Sequence, residues 1–247
     1  MPASFCGIVG LKPTWGLVPY TGAIGLDSSI DHAGPMASNV LDCALLLEVI
    51  AGVDGLDDRQ QNATAHGQIR YAKQLRDILR ETNNDGLLKG VRIGVLTEGF
   101  GLACSDPNVD ALVLSAVNKF KNLGAEVKPF SVPGHSNGQM LWGVSTFAGS
   151  YRQSALGYLM GRKQVYMSER IEKCRVGQEE FDYAGAGAKN MMLSGIFLEK
   201  YYGPGLYARS KNLQRKLSVW LSYKSSKVPM LTVFRINTTI LSRTLTS

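Results

Sequence analysis

The stretch that most narrows what this chain can fold into is central. Val91-Arg-Ile-Gly-Val-Leu96 places β-branched residues at Val91, Ile93 and Val95 in period-two alternation, which reads as a short buried strand. Asp106-Pro107 then offers an N-cap followed by proline in the first helical position. Val109, Leu112, Val113, Ala116, Val117, Phe120 and Leu123 recur at spacings of three and four, so they share one helical face. Gly124 is placed to end that helix in a left-handed conformation. Ala125 to Val132 reads as the next strand, with Pro129 marking an edge or a bulge. Strand, helix and strand in this order form a βαβ unit, whose right-handed crossover lays a helix over a parallel sheet. The expected class is therefore α/β.

Other segments support helices around such a sheet. Asn39 can cap a helix with Asp42 in its first turn, and Val40, Cys43, Ala44, Leu47, Ile50 and Ala51 share a face up to Gly52. Helical patterns return over 190–202 and 206–223, divided by Gly203-Pro204-Gly205. Between Ser136 and Gly187 the periodicity is weak, and the chain holds no internal repeat.

Composition and spacing exclude several function classes. The longest apolar run, Cys43 to Ala51, is interrupted by Glu48 and is far short of the roughly 18 residues of a membrane span. Met1 to Cys6 lacks the basic start and apolar core of a signal peptide, so a cytoplasmic protein without a membrane partner is expected. The four cysteines, Cys6, Cys43, Cys104 and Cys174, have no zinc or redox spacing. The net charge of +7 comes from one end. Residues 201–247 hold eight bases and no acid, which leaves 19 of the 27 bases against all 20 acids in the first 200. With no Arg-rich run or stacking motif beside those bases, no nucleic-acid partner is expected. Gly94 to Gly101 follows a strand but matches neither phosphate-loop pattern. His32, His66 and His135 are too scattered for a metal site, and no G-x-S-x-G elbow marks a nucleophile. No metal and no cofactor is expected. Asp27, Asp31 and His32 lie close in sequence and are read as hydrogen-bonding structure, not as an acid-base pair.

Three blocks carry a resemblance. They are residues 2–20, PASFCGIVGLKPTWGLVPY; residues 28–36, SSIDHAGPM; and residues 39–47, NVLDCALLL. Together they closely resemble the core block of the amidase signature family. Gly90 to Gly101, Leu123 to Val127, Tyr202 to Tyr207 and Asn212 to Lys216 are similar to the branch that contains bacterial enantioselective amidases and their fungal relatives. The resemblance implies part of an α/β/α fold with a mixed central sheet flanked by helices. It also implies hydrolysis of a carboxamide to a carboxylic acid and ammonia by a Ser-cisSer-Lys triad, without a cofactor.

In that family the block follows directly on a Gly-Gly-Ser-Ile-Arg segment, so the nucleophilic serine would lie three residues before Met1. The lysine and the cis serine belong to the same upstream half. No catalytic residue is therefore expected in this chain, and the polypeptide is expected to be inactive alone. The residues that match have supporting roles: Gly7 and Gly10 allow close backbone approach, Lys12 and Pro13 fix a turn, and Asp31, Gly34 and Pro35 shape the next one. Lys12 is not the family's base, which lies upstream of the nucleophile. The resemblance places substrate contacts in part around Trp142 to Tyr151. It gives a C-terminal amidase portion over residues 1–222 and a divergent basic tail over 223–247, of a kind that a frame change also produces. A carboxamide partner belongs to the intact protein, homo-oligomerisation is left open, and the alternative reading is a non-catalytic binding protein on the same scaffold. A partial sheet exposes an edge and an apolar face.

Overall fold

Strand β3 (Arg92–Leu96) lies between two parallel neighbours, β4 (Glu126–Phe130) and β5 (Leu231–Val233), in the order β4-β3-β5. Arg92 stands opposite Glu126 and Leu96 opposite Phe130, while Ile93 stands opposite Leu231. The computed structural model describes residues 2–60, 65–81, 86–103, 105–158, 165–173, 176–227 and 231–233. Ile93 is 1% exposed and Leu96 is fully buried. Three positions apart, they face opposite sides, so β3 is covered on both faces in the manner of parallel sheets. The alternation of Val91, Ile93 and Val95 described only one of those faces.

The crossover is α4 (Pro107–Asn122), capped by the Asp106 carboxylate, which accepts from the Asn108 amide at 2.9 Å. Its sequence-predicted face is the inward one, with Val109 and Val117 most buried, and Gly124 ends it at φ +93°. Strand β4 is at an edge of its sheet, where a proline lacking an N–H is tolerated, and Pro129 sits there opposite Val95. Just beyond the two strands, the Glu98 carboxylate accepts from the Ser131 hydroxyl and, at 3.0 Å, from the Val132 amide. Those bonds, the Ser131 one foremost, bring Glu98 down to about 2.

The N-terminal part is a second unit of packing. Helix α1 (Pro2–Cys6) turns at Gly7, φ +65°, into β1 (Val9–Gly10), which pairs antiparallel with β2 (Met36–Ala37). Helix α2 (Val40–Ile50) begins at Asn39, whose side chain accepts from the Asp42 amide at 2.8 Å. Cys43, Leu47 and Ala51 face inward, the latter two around Val18. Glu48, the charge that interrupts the apolar run, accepts from the Ala72 amide at 2.7 Å. It thereby supplies an otherwise missing partner at the start of α3 (Tyr71–Glu81), a helix that the sequence reading did not anticipate.

The remaining described elements are helices. Helix α5 (Gly138–Ser150) continues into one π-turn at Tyr151–Ala155 and packs on α8 (Ala186–Tyr202) and α9 (Gly205–Lys227), with the short α6 (Ser168–Lys173) and α7 (Gln178–Tyr183) between. Gly195 on α8 admits α5, since a Cβ there would stand 2.5 Å from the Phe147 carbonyl oxygen. Helix α9 runs through the first five residues of the expected 223–247 tail, and most of that tail lies outside the described residues. Strands in two small sheets and helices packed about them make the chain α/β.

Two helix faces are bare. Val40, Leu45, Leu46 and Val49 are exposed on α2, and Leu193, Phe197 and Tyr201 on α8. Helices that are apolar all round belong in interiors. The burial contrast sets a test: Leu96→Ala should cost about 2–5 kcal/mol in urea unfolding, whereas Val49→Ala, at a site 75% exposed, should stay within about 0.5 kcal/mol.

Candidate functional site

The residues singled out near the N-terminus converge on one turn system. Backbone from Leu11 to Pro13 runs against Gly34-Pro35, with the Leu11 amide donating to the Pro35 carbonyl at 3.0 Å. A Cβ on Gly34 would collide with the Leu11 carbonyl oxygen and stand 2.8 Å from Pro13 Cδ, so this crossing admits only glycine. Gly10 has a similar constraint, because a Cβ there would stand 2.5 Å from that of Ala3 in α1. Asp31 closes the adjoining loop: its Oδ2 accepts from the Leu26 amide at 2.8 Å and the Asp27 amide at 3.0 Å. Burial nevertheless pushes the Asp31 carboxyl above its ordinary range.

Lys12 is exposed, and its ammonium lies 3.4 Å from His32 Nε2. The other ring nitrogen of His32 lies 2.7 Å from the Ile30 carbonyl oxygen, which makes Nδ1 the donor and Nε2 the acceptor toward Lys12. Partial burial, followed by the charges of Lys12 and Arg59, holds His32 below its usual value. It is therefore neutral near pH 7, and its ring orients Lys12.

Beneath this turn is a pair that sequence reading did not single out. Arg59 and Asp57 meet through two guanidinium nitrogens, Nη2 to Oδ2 at 2.7 Å and Nε to Oδ1 at 2.9 Å, with side chains only 4% and 3% exposed. Arg59 also donates to the Asp31 carbonyl at 3.2 Å and lies 4.5 Å from the Tyr20 ring centre. The Tyr20 amide donates to Asp57 at 2.8 Å. Burial alone would raise the Asp57 carboxyl, but its hydrogen bonds from Arg59 outweigh that and hold it low. The signal was present as Val53-Asp-Gly-Leu-Asp-Asp-Arg59, which reads equally well as a solvated polar turn.

A second buried carboxylate ties this region to the helices. Asp27 is 1% exposed and accepts from Ser29 Oγ at 2.6 Å and from the Tyr207 hydroxyl at 3.1 Å, with the Lys211 ammonium 3.4 Å away. Burial, then the Asp27 charge, pushes the Tyr207 hydroxyl up to about 12. Asp27 thus does hydrogen-bonding work in the fold. Helix α5 comes close to it: a Cβ on Gly149 would stand 2.9 Å from both Asp27 Cβ and the Leu26 carbonyl oxygen. Of the 142–151 region, Trp142 is half-exposed while Ser145, Thr146 and Ser150 are buried. Ser145 bonds to Ser210 at 3.0 Å and to Gln214 at 2.6 Å on α9. The hydroxyls of Thr146 and Ser150 and the Gln153 side-chain oxygen are buried with no hydrogen-bond partner among the described residues.

Among the described residues no group of three or more His, Cys, Asp and Glu side chains is arranged to hold a metal, and no helix is long and apolar enough to cross a membrane.

Comparison with known proteins adds the wider context. The family model for Amidase matches residues 1–179. A glutamyl-tRNA(Gln) amidotransferase subunit of Bdellovibrio bacteriovorus is 34% identical over 224 residues, covering 87% of this chain and 42% of that protein. The protein of the same name from Prochlorococcus marinus is 38% identical over 209 residues, covering 81% and 40%. Among solved structures, the corresponding glutamyl-tRNA(Gln) amidotransferase subunit of Thermotoga maritima superposes with a TM-score of 0.62 at 23% identity, covering 92% of this chain and 42% of that one. Native peptide amidase from Stenotrophomonas maltophilia gives 0.55 at 24% identity, covering 87% and 42%. The chain spans about two fifths of the length of the relatives it matches.

The buried pair sets the expected response to mutation and pH. Asp57→Ala leaves Arg59 charged and unpaired, and should cost about 3–5 kcal/mol in chemical denaturation. The folded-state pKa of Asp57 lies below its unfolded value of about 4, so its stabilisation is complete above that value and is lost as pH falls through the lower, folded one. Thermal melts of wild type should show that loss below about pH 4, and the Asp57→Ala variant should lack that component.

Proposed function

The chain belongs to the amidase family, and on that premise we propose that it is the C-terminal portion of a carboxamide hydrolase whose catalytic serine, bridging serine and lysine lie outside these 247 residues. In this reading the chain supplies the turn system behind the nucleophile and helices that wall the substrate site, while the covalent step depends on the remainder of the family fold. The observation that carries it is the surroundings of Lys12, the lysine of the matched opening block. Its ammonium meets His32 Nε2 at 3.4 Å, and among the described residues no serine hydroxyl is bonded to it. A lysine that is to take a serine's proton, directly or through a second hydroxyl, must be in hydrogen-bond reach of one. Lys12 holds a turn instead, as do Gly10, Pro13, Asp31, Gly34 and Pro35 around it. The bare apolar faces of α2 and α8 suit a body that is completed by further protein.

Two measurements test this. Ammonia release from propionamide by the purified chain should stay at the uncatalysed background; hydrolysis that a single substitution within the chain abolishes would overturn the reading. The same preparation should bind the dye ANS strongly and elute above its monomer size. A monomeric elution volume with a sharp cooperative melt and no ANS signal would argue that the apolar faces need no cover.

A further inference from the structure

Asn137 is the one asparagine of the chain that is followed by glycine. It stands at a joint, where a short 3₁₀ turn, Pro133–Asn137, runs straight into α5. An asparagine at the start of a helix ordinarily has an extended backbone, which aims its side chain at the first amides. Asn137 instead has φ −82° and ψ −10°, and its side chain caps no amide of α5. Its carboxamide is left in solvent, on an exposed residue. The other described asparagines lack this setting. Asn39 is engaged, accepting from the Asp42 amide at 2.8 Å and donating to the Asp42 carboxylate at 2.7 Å. Asn108, Asn118, Asn122, Asn190 and Asn212 precede Val, Lys, Leu, Met and Leu, whose side chains crowd the amide nitrogen that follows the asparagine.

Gly138 supplies the other half of the chemistry. Its amide nitrogen and the Asn137 side-chain carbonyl carbon close a five-membered ring when they bond, and glycine puts no side chain in the way. The surroundings are open as well: a Cβ on Gly138 would meet nothing within 4 Å. In the folded joint the Gly138 N–H donates to the His135 carbonyl. Attack therefore waits on rotation about the Cα–C bond of Asn137, which breaks that contact. Bonds of 3₁₀ turns have poor geometry, and exposed backbone contacts at element ends open locally at little cost.

We propose that Asn137-Gly138 is a self-modifying joint, at which the chain deamidates through a cyclic imide and loosens the start of α5. A bond forms between Gly138 N and Asn137 Cγ, and the N–H proton passes to water or hydroxide. The Cγ–Nδ2 bond breaks, and the nitrogen gains a proton from solvent and leaves as ammonia. Water then opens the imide at either carbonyl, with no oxidation or reduction. One opening gives aspartate at position 137. The other gives isoaspartate, which routes the backbone through the side chain and adds one carbon to the joint. That carbon shifts the 3₁₀ turn out of line with α5, and the slack passes to α8 and α9, on which α5 packs.

The test is incubation of the purified chain in mildly alkaline buffer with no amide added. Position 137 is followed by peptide mass spectrometry and by isoaspartate-specific methylation, with ammonia and thermal melts read alongside. Ammonia should rise to one equivalent per chain in step with conversion at position 137, more slowly than in a synthetic peptide of residues 132–142, because the folded joint must open first. Gly138→Ala should slow conversion by at least about fivefold, from the difference in helix propensity between the two residues. The glycine's helical φ −59° and ψ −41° and the open space around it admit the added methyl group, so this variant's melting temperature should hold or rise. Asn137→Asp, which carries the charge without the added carbon, should melt with fresh wild type, whereas the aged chain should melt lower. Four results would each overturn the proposal: no conversion at position 137 once the peptide has fully reacted, equal rates in wild type and Gly138→Ala, earlier conversion of another asparagine, or an aged chain that melts with fresh wild type. Should Gly138→Ala lose its fold, Asn137→Gln, whose longer side chain closes its ring far more slowly, must stay an amide where wild type converts. Propionamide has no part in this chemistry, so ammonia that exceeds one equivalent and scales with propionamide bears on the proposed function alone.

Discussion

A guanidinium sealed from water is tolerable only when its charge and its donors are all met, and Arg59 organises the N-terminal part of this protein by meeting that requirement. Its partners come from three separate stretches: the carboxylate of Asp57, the carbonyl of Asp31 and the ring of Tyr20. Each contact ties a separate backbone segment to the same guanidinium. Gln60 extends the same arrangement, donating to the Gly16 carbonyl at 3.1 Å and the Gly52 carbonyl at 2.7 Å. Gly16, at φ +79°, passes so close to the Arg59 carbonyl that a side chain could not fit. Such a pair contributes little net stability over an apolar replacement, but it imposes one geometry and punishes loss of either member.

Asp27 performs the corresponding task over a longer range. It sits in the loop that Asp31 closes, yet its hydroxyl and ammonium partners, Tyr207 and Lys211, are some 180 residues away on α9. The first sixty residues and the helical layer are therefore joined by a desolvated polar contact. The same junction brings Gly149 of α5 against Asp27 and the Leu26 carbonyl, where no side chain would fit.

How much of this was legible varies with the physics of each element. The βαβ unit was readable because its helix keeps an apolar face of regular period and its ends carry an N-cap, a proline and a glycine stop. Both ends were fixed by local chemistry, and the boundaries held to within a residue or two. The helix from Gly138 to Ser150 was not readable, since its polar residues Ser145, Thr146 and Ser150 are buried while Met140 and Trp142 are exposed, which inverts the usual period. Helix α3 was missed although Ala72, Leu75, Ile78 and Leu79 are suitably spaced; its start depends on Glu48, 24 residues earlier, a dependence no local pattern records. At the site, the glycine crossings at Gly10 and Gly34 followed the resemblance of the opening block. Asp57 and Arg59 could not be told from solvated charges, because burial is a tertiary property.

Pro129 marks one flank of the three-stranded sheet as an edge. A ring nitrogen without hydrogen on the outer strand leaves a gap in the row of donors that a newcomer would need there. On the opposite side β5 pairs with β3, among the described residues, through Leu231 to Val233. A single imino acid thus blunts the β4 flank as a template for stray strands.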